Sequence, residues 1–172
     1  MASVEVLLKR SGYTFTMGEF VGGGGMGDVF SHGTNDTMVA KTIREDFPVD
    51  KIEYLVAHPV VSSHAGWSFA WPQELGVSPD TGEPRCYILP KVENAMDIEG
   101  LYFSAHWLPD WFQYRVARNY VGAVLDLHRA GCFVGDMPNA MIEKSGRCTL
   151  IDIDSLQISR DGAQFNCGVA KE

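Results

Sequence analysis

The apolar pattern changes period several times along the chain. Residues 13–20, Y-T-F-T-M-G-E-F, alternate well enough for a strand, and 28–32 read as a second strand after a glycine-rich turn. Residues 38–43, M-V-A-K-T-I, predict a third strand with Lys41 at its middle. Val49–Ala57 places Ile52, Leu55 and Val56 on one helical face. Residues 67–71 and 85–89 predict two more strands joined by the turn-rich P-D-T-G-E-P, and 89–93 read as a connection between two lobes. Residues 95–106 show no clear period.

Leu108-Pro109-Asp110 opens a long helix, with Pro acceptable in the first turn. It runs to Ala130, about 22 residues or roughly 33 Å, and Gly131 stands where a helix C′ residue can take positive φ. Arg115, Arg118, Asn119, Gly122 and Asp126 cluster on one narrow side, and apolar residues fill the remaining arc of roughly 220°. A helix covered on one side needs an apolar stripe of little more than about 100°. The excess predicts self-association, a partner or a missing C-terminal segment on helix 109–130, with a contact that includes Phe112, Val116, Ala123 or Leu127. Residues 140–143 and 147–151 flank Lys144-Ser145-Gly146 as a hairpin. Residues 156–159 and the turn Arg160-Asp161-Gly162 follow, with no structure assigned to the tail.

Length and charge narrow the classes. At 172 residues the chain can form one domain with a core, or two small lobes. A formal charge of −8, with no basic run, argues against nucleic acid as the main partner. The longest apolar runs are too short to span a bilayer, and the first ten residues lack signal-peptide organisation. Cys86, Cys132, Cys148 and Cys167 have neither zinc nor disulfide spacing and predict reduced thiols in a cytoplasmic protein. His58, His64 and His106 share no metal-ligand spacing.

Three stretches carry candidate chemistry. Gly22, Gly24 and Gly27 fit G-x-G-x-x-G within Gly22-Gly23-Gly24-Gly25-Met26-Gly27, with Val29 two positions on. Such glycines let a hairpin fold closely over phosphates, or simply form a flexible turn. Strand-like residues follow rather than a helix, which favours a kinase type of loop over a dinucleotide-binding one. Lys41 either snorkels to water or meets an anion under that loop, and Glu53 is either its partner or a solvated surface residue. Asp136, Asn139, Asp152 and Asp154 stand at strand mouths, where oxygen ligands can hold Mg²⁺ or serve as ordinary turn residues.

In this order the pieces resemble the protein-kinase-like superfamily, and are most similar to bacterial and phage members with G-D in the catalytic loop and I-D-x-D-S at the metal site. The residues carrying the resemblance are the glycine run with Asp28-Val29, Val39-Ala40-Lys41, Leu127-His128-Arg129-Ala130-Gly131, Val134-Gly135-Asp136 and Leu150-Ile151-Asp152-Ile153-Asp154-Ser155. The resemblance implies an α+β, two-lobed fold. Its N-lobe, 1–89, would be an antiparallel sheet, 90–94 a hinge, and 95–172 a shortened, mostly helical C-lobe. It further implies that Gly22, Gly23, Gly24, Gly25, Met26, Gly27 and Val29 cover ATP and that Lys41 holds its phosphates, steadied by Glu53. Lys91 and Val92 would meet the heterocycle. Asp136 would take the proton of a substrate hydroxyl, and Asp152, Asn139 and Asp154 would serve Mg²⁺. Three departures bear on this. Two residues instead of four separate Asp136 from Asn139; Val134-Gly135 replaces His-Arg; and the chain ends at Glu172, where an activation segment would be under way. Two readings follow: a kinase-like protein acting on Ser/Thr of a protein substrate, or an impaired pseudokinase that binds nucleotide or protein. A third is a truncated remnant with neither property.

Overall fold

The computed structural model describes residues 4–25, 27–62, 64–104, 107–135 and 139–167. They divide into two compact units. The first takes described residues of 4–59 and 71–91, the second those of 60–70 and 92–167.

The first unit is built on a closed barrel of β1 (Glu5–Leu8), β2 (Thr14–Gly24), β3 (Gly27–His32), β4 (Met38–Thr42), β7 (Pro84–Pro90) and β6 (Glu74–Val77), each antiparallel to its neighbours. Closure leaves no free sheet edge. Period-2 alternation sends Val6, Leu8, Phe15, Ala40, Cys86 and Ile88 into one apolar cluster, against which Met17 and Met38 pack. The alternate positions Leu75, Tyr87 and Lys41 lie on the other face and are also buried. α1 (Val49–Ala57) adjoins β6, and Trp71 donates its Nε1–H to the Leu55 carbonyl at 2.8 Å. The strand Glu5–Leu8 is absent from the sequence expectation, because four residues hold too little alternation to mark it.

The second unit joins two small sheets to two helices. β5 (Trp67–Phe69), β11 (Cys148–Leu150), β10 (Ala140–Glu143) and β8 (Ala95–Asp97) form one sheet in that order. β13 (Ala163–Phe165), β12 (Gln157–Arg160) and β9 (Cys132–Phe133) form the other. α2 (Ile98–Ser104) and α3 (Asp110–Arg129) complete it. The expectation of a mostly helical second half does not describe these residues, which form seven short strands beside the two helices. The sequence pattern also joins 67–71 to 85–89 as neighbours. Instead β5 runs parallel to β11, and β6 is the strand that the P-D-T-G-E-P turn connects to β7. This pairing carries residues 60–70, expected in the first lobe, into the second unit.

α3 begins after Pro109 and ends at Arg129, and Gly131 takes φ 73. The four contact residues expected from its pattern, Phe112, Val116, Ala123 and Leu127, are buried within the chain. They cannot form an outer contact, because they make up the stripe that this helix turns to its own core. The narrow polar side is solvated only in part, with Arg115 and Arg118 exposed. Asn119 is buried and donates Nδ2–H to the Gly146 carbonyl at 2.8 Å. Arg115 donates to the Ser145 carbonyl at 3.2 Å, and Asp126 accepts Trp67 Nε1–H at 2.8 Å. A Cβ on Gly122 would stand 2.6 Å from the Trp67 ring, so glycine admits the indole there. Polar residues therefore dock this helix on its sheet by satisfying backbone groups that burial would otherwise strand.

No disulfide joins the four cysteines. Burial pushes the Cys86 thiol, against the opposing Arg85 charge, and the Cys148 thiol up to about 12. Among the described residues no helix is long and apolar enough to cross a membrane.

Candidate phosphate and metal site

In the first unit, β2 runs through the glycines to Gly24, which pairs with Gly27 across the turn. Met26 lies outside the described residues. Gly27 has φ 138, and a Cβ there would stand 2.5 Å from the Thr42 carbonyl oxygen. Glycine is required so that the hairpin tip can close on β4. Asp28 N–H donates to Thr42 Oγ1 at 2.9 Å, and Arg44 donates to the Gly25 carbonyl. A Cβ added at Gly22 or Gly24 would meet nothing within 4 Å, so this stretch faces open space. Gly23 differs, since a Cβ there would meet the Asp28 carboxylate.

Register sets Lys41 beside this hairpin. Gly22 stands opposite Val29, Val29 opposite Lys41, and Lys41 opposite Tyr87. Directly opposed residues share a face of a sheet. Lys41 is only 3% exposed and is engaged in an interaction, so a snorkelling lysine in open water is not what the structure holds. Glu53 does not partner Lys41; its carboxylate bonds Lys9 Nζ at 2.5 Å on an exposed part of α1. The helix turns Lys51, Ile52 and Leu55 inward, which leaves Glu53 on the outer side. Lys51, buried and engaged, is the α1 charge that the sequence pattern misses. Its place four residues before Leu55, on the same helical face, is the signal that could have found it. Lys91 N–H is used internally, donating to the Thr37 carbonyl at 2.8 Å, and Val92 begins the second unit.

In the second unit, the β10–β11 hairpin brings an amide and a carboxylate together. Ala140 stands opposite Leu150, and Ile151 N–H donates to the Asn139 carbonyl at 2.9 Å. One step beyond that rung, Asn139 Nδ2–H donates to Asp152 Oδ2 at 2.7 Å. Asp152 has φ 57 and ψ 39, a left-handed conformation that Asp tolerates better than most residues. Ser155 holds it there, with both its N–H (3.0 Å) and its Oγ–H (2.7 Å) donating to the Asp152 carbonyl. A 3-10 turn, Ile153–Ser155, carries Asp154 inward to 2% exposure, where it is engaged in an interaction. Asp152 and Asp154, two residues apart, thus occupy different environments. Asp136 lies outside the described residues. The described segment before it is fixed, since Val134 N–H donates to His128 Nε2 at 3.2 Å and β9 pairs with β12.

These donor sets fit the groups implied by the sequence resemblance. Asp152 Oδ2 accepts Asn139 Nδ2–H, and carboxylate and amide oxygens such as these side chains carry are the donors a hard cation such as Mg²⁺ takes beside phosphate and water. Among the described residues there is no group of three or more His, Cys, Asp or Glu poised to hold a metal. The open glycine hairpin and the neighbouring buried lysine suit an anion.

No family model matches the chain. It is 28% identical over 174 aligned residues, 95% of its length, to "Protein kinase YegI" of Escherichia coli O157:H7. The same identity and coverage hold for "Protein kinase YegI" of Escherichia coli strain K12. The matched region is 27% and 26% of those proteins, so the chain spans about a quarter of the length of the curated relatives it matches. Over nearly its whole length, the chain has a kinase-like relationship to these proteins.

Proposed function

We propose that the chain is an ATP- and Mg²⁺-dependent kinase-like protein, with a two-lobed kinase-like fold, that transfers phosphate to Ser or Thr of a protein. The similarity to protein kinase YegI over 95% of the chain carries the reading. The Asn139–Asp152 pair and the Lys41 register support it. ATP and Mg²⁺ supply the phosphoryl group and the charge that offsets its negative oxygens. Backbone N–H groups of Gly22–Gly25 and Gly27 orient phosphate oxygens, and Lys41 neutralises them. Asp152 and Asn139 hold the cation, while Asp154 is a buried structural acid rather than a ligand. Asp136 takes the proton of the substrate hydroxyl.

A pseudokinase is the second reading, favoured by the two-residue spacing between Asp136 and Asn139. Placement errors of about 1 Å can cost roughly a hundredfold in rate, so we expect turnover below the usual kinase range of about 1–100 s⁻¹. Incubation with labelled ATP beside a nucleotide melting shift tests both. A shift with Asp136-dependent phosphate incorporation supports the kinase. A shift without incorporation supports a nucleotide-binding pseudokinase, and no shift defeats both the kinase and the nucleotide-binding pseudokinase.

A further inference from the structure

α3 carries a second stripe that its own chain leaves bare. Trp111, Tyr114, Val121 and Leu125 are 59%, 77%, 55% and 47% exposed. With Arg118 they recur at spacings of three, four, three and four residues, the seam by which one helix seats another. At about 100° per residue this seam lies roughly 150° from the buried stripe of Phe112, Val116, Asn119, Ala123 and Leu127. The two stripes therefore occupy nearly opposite faces, and packing of the first explains nothing about the second. Trp107, just before α3, is 81% exposed as well. Apolar patches beyond a few hundred Å² rarely stay bare on soluble proteins.

Charge selects the occupant. Arg118 sits at the centre of the seam and holds no ion pair among the described residues. Arg115 lies beside it with its guanidinium over the Trp111 ring, 5.4 Å from the centroid. Pairing with a second copy in register, parallel or antiparallel, would set Arg118 against Arg118. Like charges at the middle of an apolar seam oppose assembly. We propose that this face of α3 docks an amphipathic helix of a partner protein, with apolar residues at the same three-four spacing and a carboxylate opposite Arg118.

The probe is a labelled synthetic helix of about 21 residues, three heptads, with leucine at seam positions and glutamate at its centre. Fluorescence anisotropy should show saturable binding to the wild-type chain. Val121→Glu should abolish it. Arg118→Glu should weaken it on the order of tenfold or more, and a probe with central lysine should regain affinity for that variant. Both positions are exposed, so unchanged melting curves establish that the variants fold. No binding by folded wild type, or binding indifferent to both substitutions, would overturn the proposal. So would a concentration-dependent dimer in sedimentation that Val121→Glu dissociates, because a second copy would then be the occupant.

Discussion

The two units hold their candidate residues by different means. The first holds Lys41 on a barrel strand, on the face opposite the apolar cluster, and most strands of that barrel are consecutive in the chain. The second has strands of two to four residues, one parallel pair joining Trp67–Phe69 to Cys148–Leu150. There, Arg115 and Asn119 donate to the distant Ser145 and Gly146 carbonyls, Asp126 accepts from the distant Trp67 indole, and His128 accepts from the nearby Val134 N–H. A lysine can be placed by burial and register alone. Asp152 needs a left-handed turn, a serine to hold it and an amide beside it.

The comparison breaks most visibly in the core of the second unit. Leu127 is fully buried, and Leu127→Ala should cost about 2–5 kcal/mol. Urea unfolding followed by hydrogen exchange should locate the loss among amides of 107–160, leaving the barrel strands protected. Equal loss in both units would show that they do not differ in this way.

Asn119→Leu sharpens the comparison. It keeps the volume but leaves the Gly146 carbonyl without its donor, at about 1–3 kcal/mol. Exchange should accelerate first at the 143–148 turn. An unchanged turn would mean that the apolar stripe alone seats α3.

Much of the barrel was legible, because alternation is a two-residue signal that survives in short segments. The strand Met38–Thr42 and the helix Val49–Ala57 fall where the pattern places them. The limits of α3 were legible from Pro109 and Gly131. What escaped depends on distant partners. Nothing within 67–71 shows that it pairs with residues 81 positions on rather than with 85–89, as the register Trp67↔Cys148 reveals. Nor does helical spacing tell that Asn119 will be buried, since an amide looks solvated until a carbonyl such as that of Gly146 is brought to it. At the site, the motif placed Asp152 and Asn139 at strand ends, but spacing alone left their contact undecided. The register of Ala140 with Leu150 decides it.

Asp152 and Asp154 should separate in binding. Asp152→Asn should reduce the Mg²⁺ dependence of nucleotide affinity, whereas Asp154→Asn should chiefly lower the melting temperature, since its carboxylate is buried. The opposite assignment would place the metal on the wrong acid.

The smallest effect belongs to the barrel. His32 stacks on Phe15 at 4.0 Å, and burial holds its pKa below the ordinary value of 6.5. The unfolded chain then binds the proton more readily, so this contribution is fully present above pH 6.5 and is lost as pH falls through the lowered folded value. Stability measured from pH 7 down to about 5 should decline partly for this reason, and His32→Phe should flatten the decline. An unchanged slope would remove His32 as its source.

Isothermal titration with ATP in Mg²⁺ tests the proposed function most directly: that the chain binds nucleotide with the help of Lys41 and needs Asp152 for the metal-dependent part of that affinity. Wild type should bind. Lys41→Ala should lose about 1.5–3 kcal/mol of affinity, as expected for one charge-assisted phosphate contact. Asp152→Asn should lose affinity only when Mg²⁺ is present. No binding heat from the folded wild-type chain, or one affinity shared by all three proteins, would contradict the account.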